Sequence, residues 1–272
     1  MSDDPNGKSP DLEHVWAAMA GQGYALTSED KVGLPEKFRK NFVQTYFTEG
    51  RIRHDPGDWP VDRKRARDVV RYWWRDGGLR LREHRTIAIT DRAGIPGRRV
   101  HSRVRLLEDP QAEEFIRTLL SLVPPGRRRP TGTFGVNLFR TFTDVVTKPH
   151  RDNEELIFLY VLDRQGEGAE SYLYDPHDVT PEGKAIGNPI MQQQLNPGDI
   201  IIFDDARFMH GATPLEALPD GTSMRDVLVC TVDCRDTYLS ARARVRALRG
   251  RIRSAATARP QGNEERQLSP VA

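Results

Sequence analysis

Seven short runs rich in β-branched and aromatic residues crowd into residues 132–233: GTFGVNLFRTFT, ELIFLYVLD, ESYLYD, IMQQQL, DIIIFDD, ARFMHGAT and RDVLVCTVD. Runs this short cannot stand alone. Each must pair with a neighbour, and turn signals such as NPGD at 196–199 bring them round to do so. A small antiparallel sandwich or barrel is the natural solution, with a jelly roll the leading candidate.

The chain before PPGRRRP has a different pattern. SPDLEHVWAAMAGQG predicts a helix with Ser9 as N-cap, Pro10 at the first helical position and a stripe of Leu12, Val15, Trp16 and Met19. VDRKRARDVVRYWWRDGG predicts a second, with Ala66, Val69, Val70 and Trp73 on one face, Trp73 in the core and Trp74 half-buried. EDPQAEEFIRTLLSLVPPG predicts a third, opened by Asp109-Pro110, while LRLREHRTIAIT reads as a strand. The expected fold class is α+β, a jelly-roll core buttressed by N-terminal helices. The expected divisions are a disordered start (1–8), a helical support region (9–125), the β core (126–236), a basic C-terminal helix (237–256) and a disordered tail (257–272).

Charge and composition narrow the function. With 41 basic against 39 acidic side chains the molecule is near balance, so broad binding to nucleic acid is not expected. The arginines of SARARVRALRGRIRS recur almost every second residue, which at helical pitch spreads them round the cylinder. That suits a solvated helix, an acidic carrier or a dimer partner better than a nucleic-acid face. No run of apolar residues is long enough to cross a membrane. The opening MSDDPNGKSP lacks an apolar signal core, so a cytoplasmic location is expected. Two cysteines, Cys230 and Cys234, make no disulfide framework.

His150 and Asp152 form the only H-x-D or H-x-E pair among seven histidines. Two residues apart on extended chain, they face the same way and can converge on one ion. His210, just beyond the DIIIFDD run, is the candidate third ligand. Two histidines and a carboxylate on one face leave positions open for cosubstrate and dioxygen, the facial arrangement of non-haem Fe(II) oxygenases. Arg225, fifteen residues after His210, offers a guanidinium fork to the far carboxylate of a chelating 2-oxo dicarboxylate, with Thr213 or Thr231 as a hydroxyl partner. Taken singly, each has a plainer reading: a solvated pair, a half-buried histidine, an arginine paired with Asp226. Their order, each at the end of a strand-like run, favours the metal site.

HRD before an apolar strand, then GAESYLYD, NPGDIIIFDDARFMHGATPL and RDVLVCTVD, resembles the Fe(II)/2-oxoglutarate-dependent dioxygenase superfamily over residues 130–235, and more narrowly its bacterial free amino-acid hydroxylases. The resemblance implies a double-stranded β-helix (cupin-like) fold with iron on His150, Asp152 and His210. It also implies 2-oxoglutarate on Arg225, dioxygen as oxidant, and succinate and carbon dioxide as products. Halogenating relatives replace the carboxylate with a small residue, so with Asp152 in place the resemblance implies hydroxylation or another oxidative outcome, such as desaturation, cyclisation or epoxidation. Relatives often carry glycine directly after that aspartate, where this chain has Asn153.

Glu154, Glu155 and Glu170 are candidates to hold a substrate ammonium, and Arg140 a substrate carboxylate, which together suit a small amino acid or its derivative. An oxygenase for a peptide or carrier-bound substrate, and a metal-binding jelly roll without turnover, are the alternatives. TEGRIRHDPGDWP is the expected mobile cover over the site.

Overall fold

The computed structural model describes residues 12–35, 37–54, 63–75, 78–84, 102–142 and 148–232. Within these lie helices α1 (Leu12–Gly21), α2 (Phe38–Tyr46) and α3 (Pro110–Ser121). The first five strands are β1 (Tyr24–Ser28), β2 (Arg53–His54), β3 (Lys64–Arg75), β4 (Gly78–Glu83) and β5 (Ser102–Arg103). The C-terminal half supplies β6 (Thr131–Thr141), β7 (Leu156–Gln165), β8 (Glu167–Gly168), β9 (Ser171–Tyr174) and β10 (Met191–Gln193). It continues with β11 (Asp199–Asp204), β12 (Met209–Ala212), β13 (Leu215–Glu216) and β14 (Met224–Val232).

The large sheet runs β1-β11-β7-β14-β6-β3-β2, with β4 and β5 also paired to β3; a small sheet runs β10-β9-β12, and β8 pairs with β13. Strand alternation gives the large sheet two working faces. Leu228, Cys230 and Val232 of β14 join Phe158, Tyr160 and Leu162 of β7 in a core shared with the helices. There Phe38 of α2 stacks on Phe115 of α3 at 5.1 Å between centroids. On the other face Val227, Ile157, Val161, Ile201 and Phe203 meet Leu173 of the small sheet in a second core. Helices thus cover one face and the small sheet the other. This is the expected jelly roll, mostly antiparallel and with few helices.

Local signals explain the helices that form. Asp109 caps α3 by accepting from the Gln111 N–H at 2.9 Å, Pro110 occupies the first turn, and Ala112, Phe115, Ile116, Leu119 and Leu120 bury one stripe. In α1, Val15 and Met19 make the buried face.

The helix expected around residues 61–78 is corrected. Lys64–Arg75 is a strand, paired with β6 from Lys64↔Arg140 to Trp73↔Thr131. Ala66, Asp68, Val70 and Tyr72 alternate inward on the helix-covered face. The apolar members spaced three and four apart mimic a helix because Asp68 interrupts the period-two row. Asp68 is tolerated there because its carboxylate accepts from the backbone N–H groups of Val69 and Leu106, and Arg103 lies at 3.4 Å. Trp74, which packs against that core, and not Trp73, shares its face; Arg128 lies 4.7 Å over the Trp74 ring. The Ser9 cap, the basic C-terminal helix, both terminal tails and the DPGDW part of the expected cover lie outside the described residues.

Candidate active site

His210 sits in β12, and its backbone exchanges two hydrogen bonds with His150, at 3.0 and 2.9 Å. This isolated antiparallel bridge extends the small sheet by one residue and brings the imidazole rings to 4.3 Å between centroids. Asp152 then turns back, with its carboxylate 3.9 Å from His150 Nε2 and 3.6 Å from His210 Nε2. One ligand atom from each of the three residues lies within 4.8 Å of the others. Asn153 makes the turn with φ +57°, a left-handed conformation that asparagine accepts more readily than most residues.

The donor set fits a divalent metal of imidazole and carboxylate preference, since ligands held at about 2.1 Å from one ion stand about 3 Å apart when adjacent. His150 Nδ1 lies 3.0 Å from the Lys148 carbonyl; donation to that oxygen leaves Nε2 as the free lone pair. His210 Nδ1 lies 3.3 Å from the Asp205 carboxylate, which is fully buried and also accepts from the N–H groups of Asp152 (3.3 Å) and Glu154 (2.8 Å). Burial works against charge on His210, but Asp152 and Asp205 outweigh it and raise its pKa to about 9. His150 is lowered, by burial first and then by the facing His210.

Arg225 begins the inward row of β14 and is 4 % exposed. Its Nε has no hydrogen-bond partner among the described residues, and its Nη2 reaches only Ser171 Oγ at 3.4 Å. Burial, then the neighbouring Arg164, push it down to about 10. Ser171 pairs with Ala212 while His210 pairs with Leu173, so Ser171 and His210 share one face of the small sheet. The Arg225 head thus meets the inner face about 7 Å along from His210. An under-satisfied guanidinium in this position suits the far carboxylate of a short dicarboxylate. The hydroxyl beside it belongs to Ser171; Thr213 Oγ1 instead accepts from the Glu170 N–H at 2.9 Å.

The expected substrate residues divide. Arg140 is corrected: it lies on the helix-covered face, holding Asp226 through two bonds of 2.7 and 2.6 Å and the Phe47 carbonyl at 3.1 Å. Glu155 pairs with Arg129 at 2.8 Å, and Glu170 accepts from Gln192 at 2.6 Å. Glu154 is buried beside Asp152. Two residues absent from the expectation, Asp205 and Ser171, are instead brought to the site. Asp205 was signalled only by its place in FDDARFMH, and nothing local separates it from Asp204, which pairs with Arg127.

Residues 102–231 match the model of the 2OG-Fe dioxygenase family. Comparison with curated protein sequences gives no match. Among solved structures, a bsmA homolog from Methylobium petroleophilum PM1 superimposes with a TM-score of 0.66 at 17 % identity, covering 83 % of this chain and 94 % of that one. IDO from Bacillus thuringiensis gives 0.62 at 15 %, covering 84 % and 97 %. The Fe(II)/(alpha)ketoglutarate-dependent dioxygenase TqaL gives 0.62 at 11 %, covering 82 % and 87 %. At these identities the likeness is one of fold.

Proposed function

We propose that this chain, an Fe(II)- and 2-oxoglutarate-dependent dioxygenase, hydroxylates an unactivated C–H bond of a small amino acid or amino-acid-derived metabolite. The observation that carries the reading is the pairing of a three-ligand face with a buried, under-satisfied Arg225 on the same inner surface. A binding protein without turnover has no use for such a clamp.

His150 and His210, through Nε2, and Asp152, through its carboxylate, would hold iron on one face and leave the opposite face open. Arg225 and Ser171 would orient 2-oxoglutarate by its far carboxylate. When bound, iron and cosubstrate supply the oxidising power: one oxygen atom of dioxygen enters the substrate as hydroxyl, the other enters succinate, and carbon dioxide leaves. The half-buried Leu159 and Val229, with Phe203 5.0 Å from the His210 ring, keep the inner surface apolar and exclude water.

Support for an amino-acid-like substrate comes from the charges flanking this surface. Across the sheet, Leu159, Val229, Asn137 and Arg67 stand in one register row, so Arg67 faces the site about 10 Å beyond Val229. Arg67 takes the carboxylate-binding role expected of Arg140, and Glu154 at the metal end takes the ammonium.

An anaerobic Fe(II) titration with 2-oxoglutarate tests the cofactor assignment. The visible metal-to-ligand band is expected in the wild type and absent in His210→Ala. Succinate release is then measured over free amino acids and over peptides. Stimulation by peptides alone would overturn the substrate class.

A further inference from the structure

We infer that Asp205 is a positioning residue for the metal centre, a single buried carboxylate that fixes both arms of the ligand set. The inference rests on the metal reading of His150, Asp152 and His210. Asp205 follows β11, is 0 % exposed, and touches each arm by a different route. Its Oδ2 accepts the Glu154 N–H at 2.8 Å, and its Oδ1 the Asp152 N–H at 3.3 Å, which holds the turn that presents the Asp152 carboxylate. The same Oδ1 lies 3.3 Å from His210 Nδ1 as an ion-pair contact, and that buried nitrogen has no hydrogen-bond partner among the described residues, so Asp205 is the acceptor placed beside it. A carboxylate facing Nδ1 favours the proton there, which leaves Nε2 as the lone pair aimed at Asp152 and the metal.

A turn anchor alone would not need the charge. Asparagine keeps the shape and an oxygen for the Glu154 N–H, but its amide nitrogen then occupies the Oδ1 place. That nitrogen is a donor facing two donors, the Asp152 N–H and His210 Nδ1–H. Asp205→Asn therefore spares the Glu154 anchor and disturbs the Asp152 and His210 contacts together, and the histidine spectra report on His210 alone.

The probe is Zn(II), which needs neither turnover nor cosubstrate. Zn(II) affinity is measured by competition with a chromogenic chelator in wild type and Asp205→Asn, alongside the melting temperature of each metal-free protein. An affinity loss of about 10- to 100-fold is expected in a variant whose metal-free form still melts cooperatively, at a temperature lowered by the loss of the Asp152 and His210 contacts. ¹⁵N-histidine spectra of the Zn(II)-loaded wild type, with His210 assigned by loss in His210→Ala, supply a readout that does not depend on the variant folding. A downfield, slowly exchanging Nδ1–H on His210 is expected. Equal Zn(II) affinity in Asp205→Asn, or a wild-type His210 bound through Nδ1, would sink the role of Asp205 and leave the metal site standing. Failure of the wild type to bind Zn(II) would sink both.

Discussion

Replacing Arg225 by methionine should weaken 2-oxoglutarate binding without weakening the protein. The guanidinium is buried, and burial together with Arg164 lowers its pKa from 12.5 to about 10. Keeping the charge in the metal-free fold therefore costs about 3 kcal/mol. A bound carboxylate relieves that strain, so the cosubstrate should lose about a hundredfold in affinity when Arg225 becomes an apolar side chain of similar length. The metal-free variant should melt at the wild-type temperature or above it, because an uncompensated buried charge has gone. The assay pairs calorimetric titration of the Zn(II)-loaded protein with thermal melts, with and without 2-oxoglutarate. Wild type should gain stability from the cosubstrate by mass action and the variant should not. Arg225→Lys, which keeps a charge but not the fork, should fall between the two. Unchanged 2-oxoglutarate affinity in Arg225→Met would refute the clamp. A metal-free variant that melts far lower would show that the guanidinium is a structural support.

Four further outcomes follow from other charges. Fe(II) must displace a proton from His210, so apparent affinity should weaken about tenfold from pH 7.5 to 6.5 in an anaerobic titration, and a flat profile there would count against the assignment. In the metal-free protein the raised pKa of His210 adds stability that is present below about pH 6.5 and fades as pH climbs towards 9. Asp68 is raised to about 7, chiefly by burial, so its contribution to stability is present near pH 4 and lost by pH 7. Urea unfolding of Asp68→Asn across that interval should show a flatter profile than wild type. Arg140→Met should destabilise by about 3–5 kcal/mol by leaving Asp226 buried and unpaired, and a joint Asp226→Leu change should recover much of it. A stable Arg140→Met with a raised substrate KM would instead restore Arg140 to the site.

The candidate metal-binding group was legible because its signal is local. His150 and Asp152 stand two apart, and His210 follows a strand so apolar that its end is unmistakable. The partners of the charged residues were not legible, because they arrive from far along the chain. Asp226 meets Arg140 across 86 residues, and Asp205 meets the Glu154 N–H across 51. β3 was misread for a related reason: a buried aspartate satisfied by Leu106, 38 residues on, broke the alternation that marks a strand. Substrate residues suffered most, since a charged side chain near a site in sequence is as readily spoken for by a distant neighbour.

Arg225 and Asp226 are adjacent, opposite in charge and aimed at opposite faces of one sheet. Sliding β14 by a single residue would exchange them. An anion would then meet the cosubstrate, and a cation would turn to the helix-covered face, where Arg140 already stands. The two-pronged grip of Arg140 on Asp226 makes that slip prohibitive. The ion pair on the far side of the sheet thereby decides the sign of the charge inside the pocket. Design of this scaffold for a new acid should leave that grip intact while the inward row is changed.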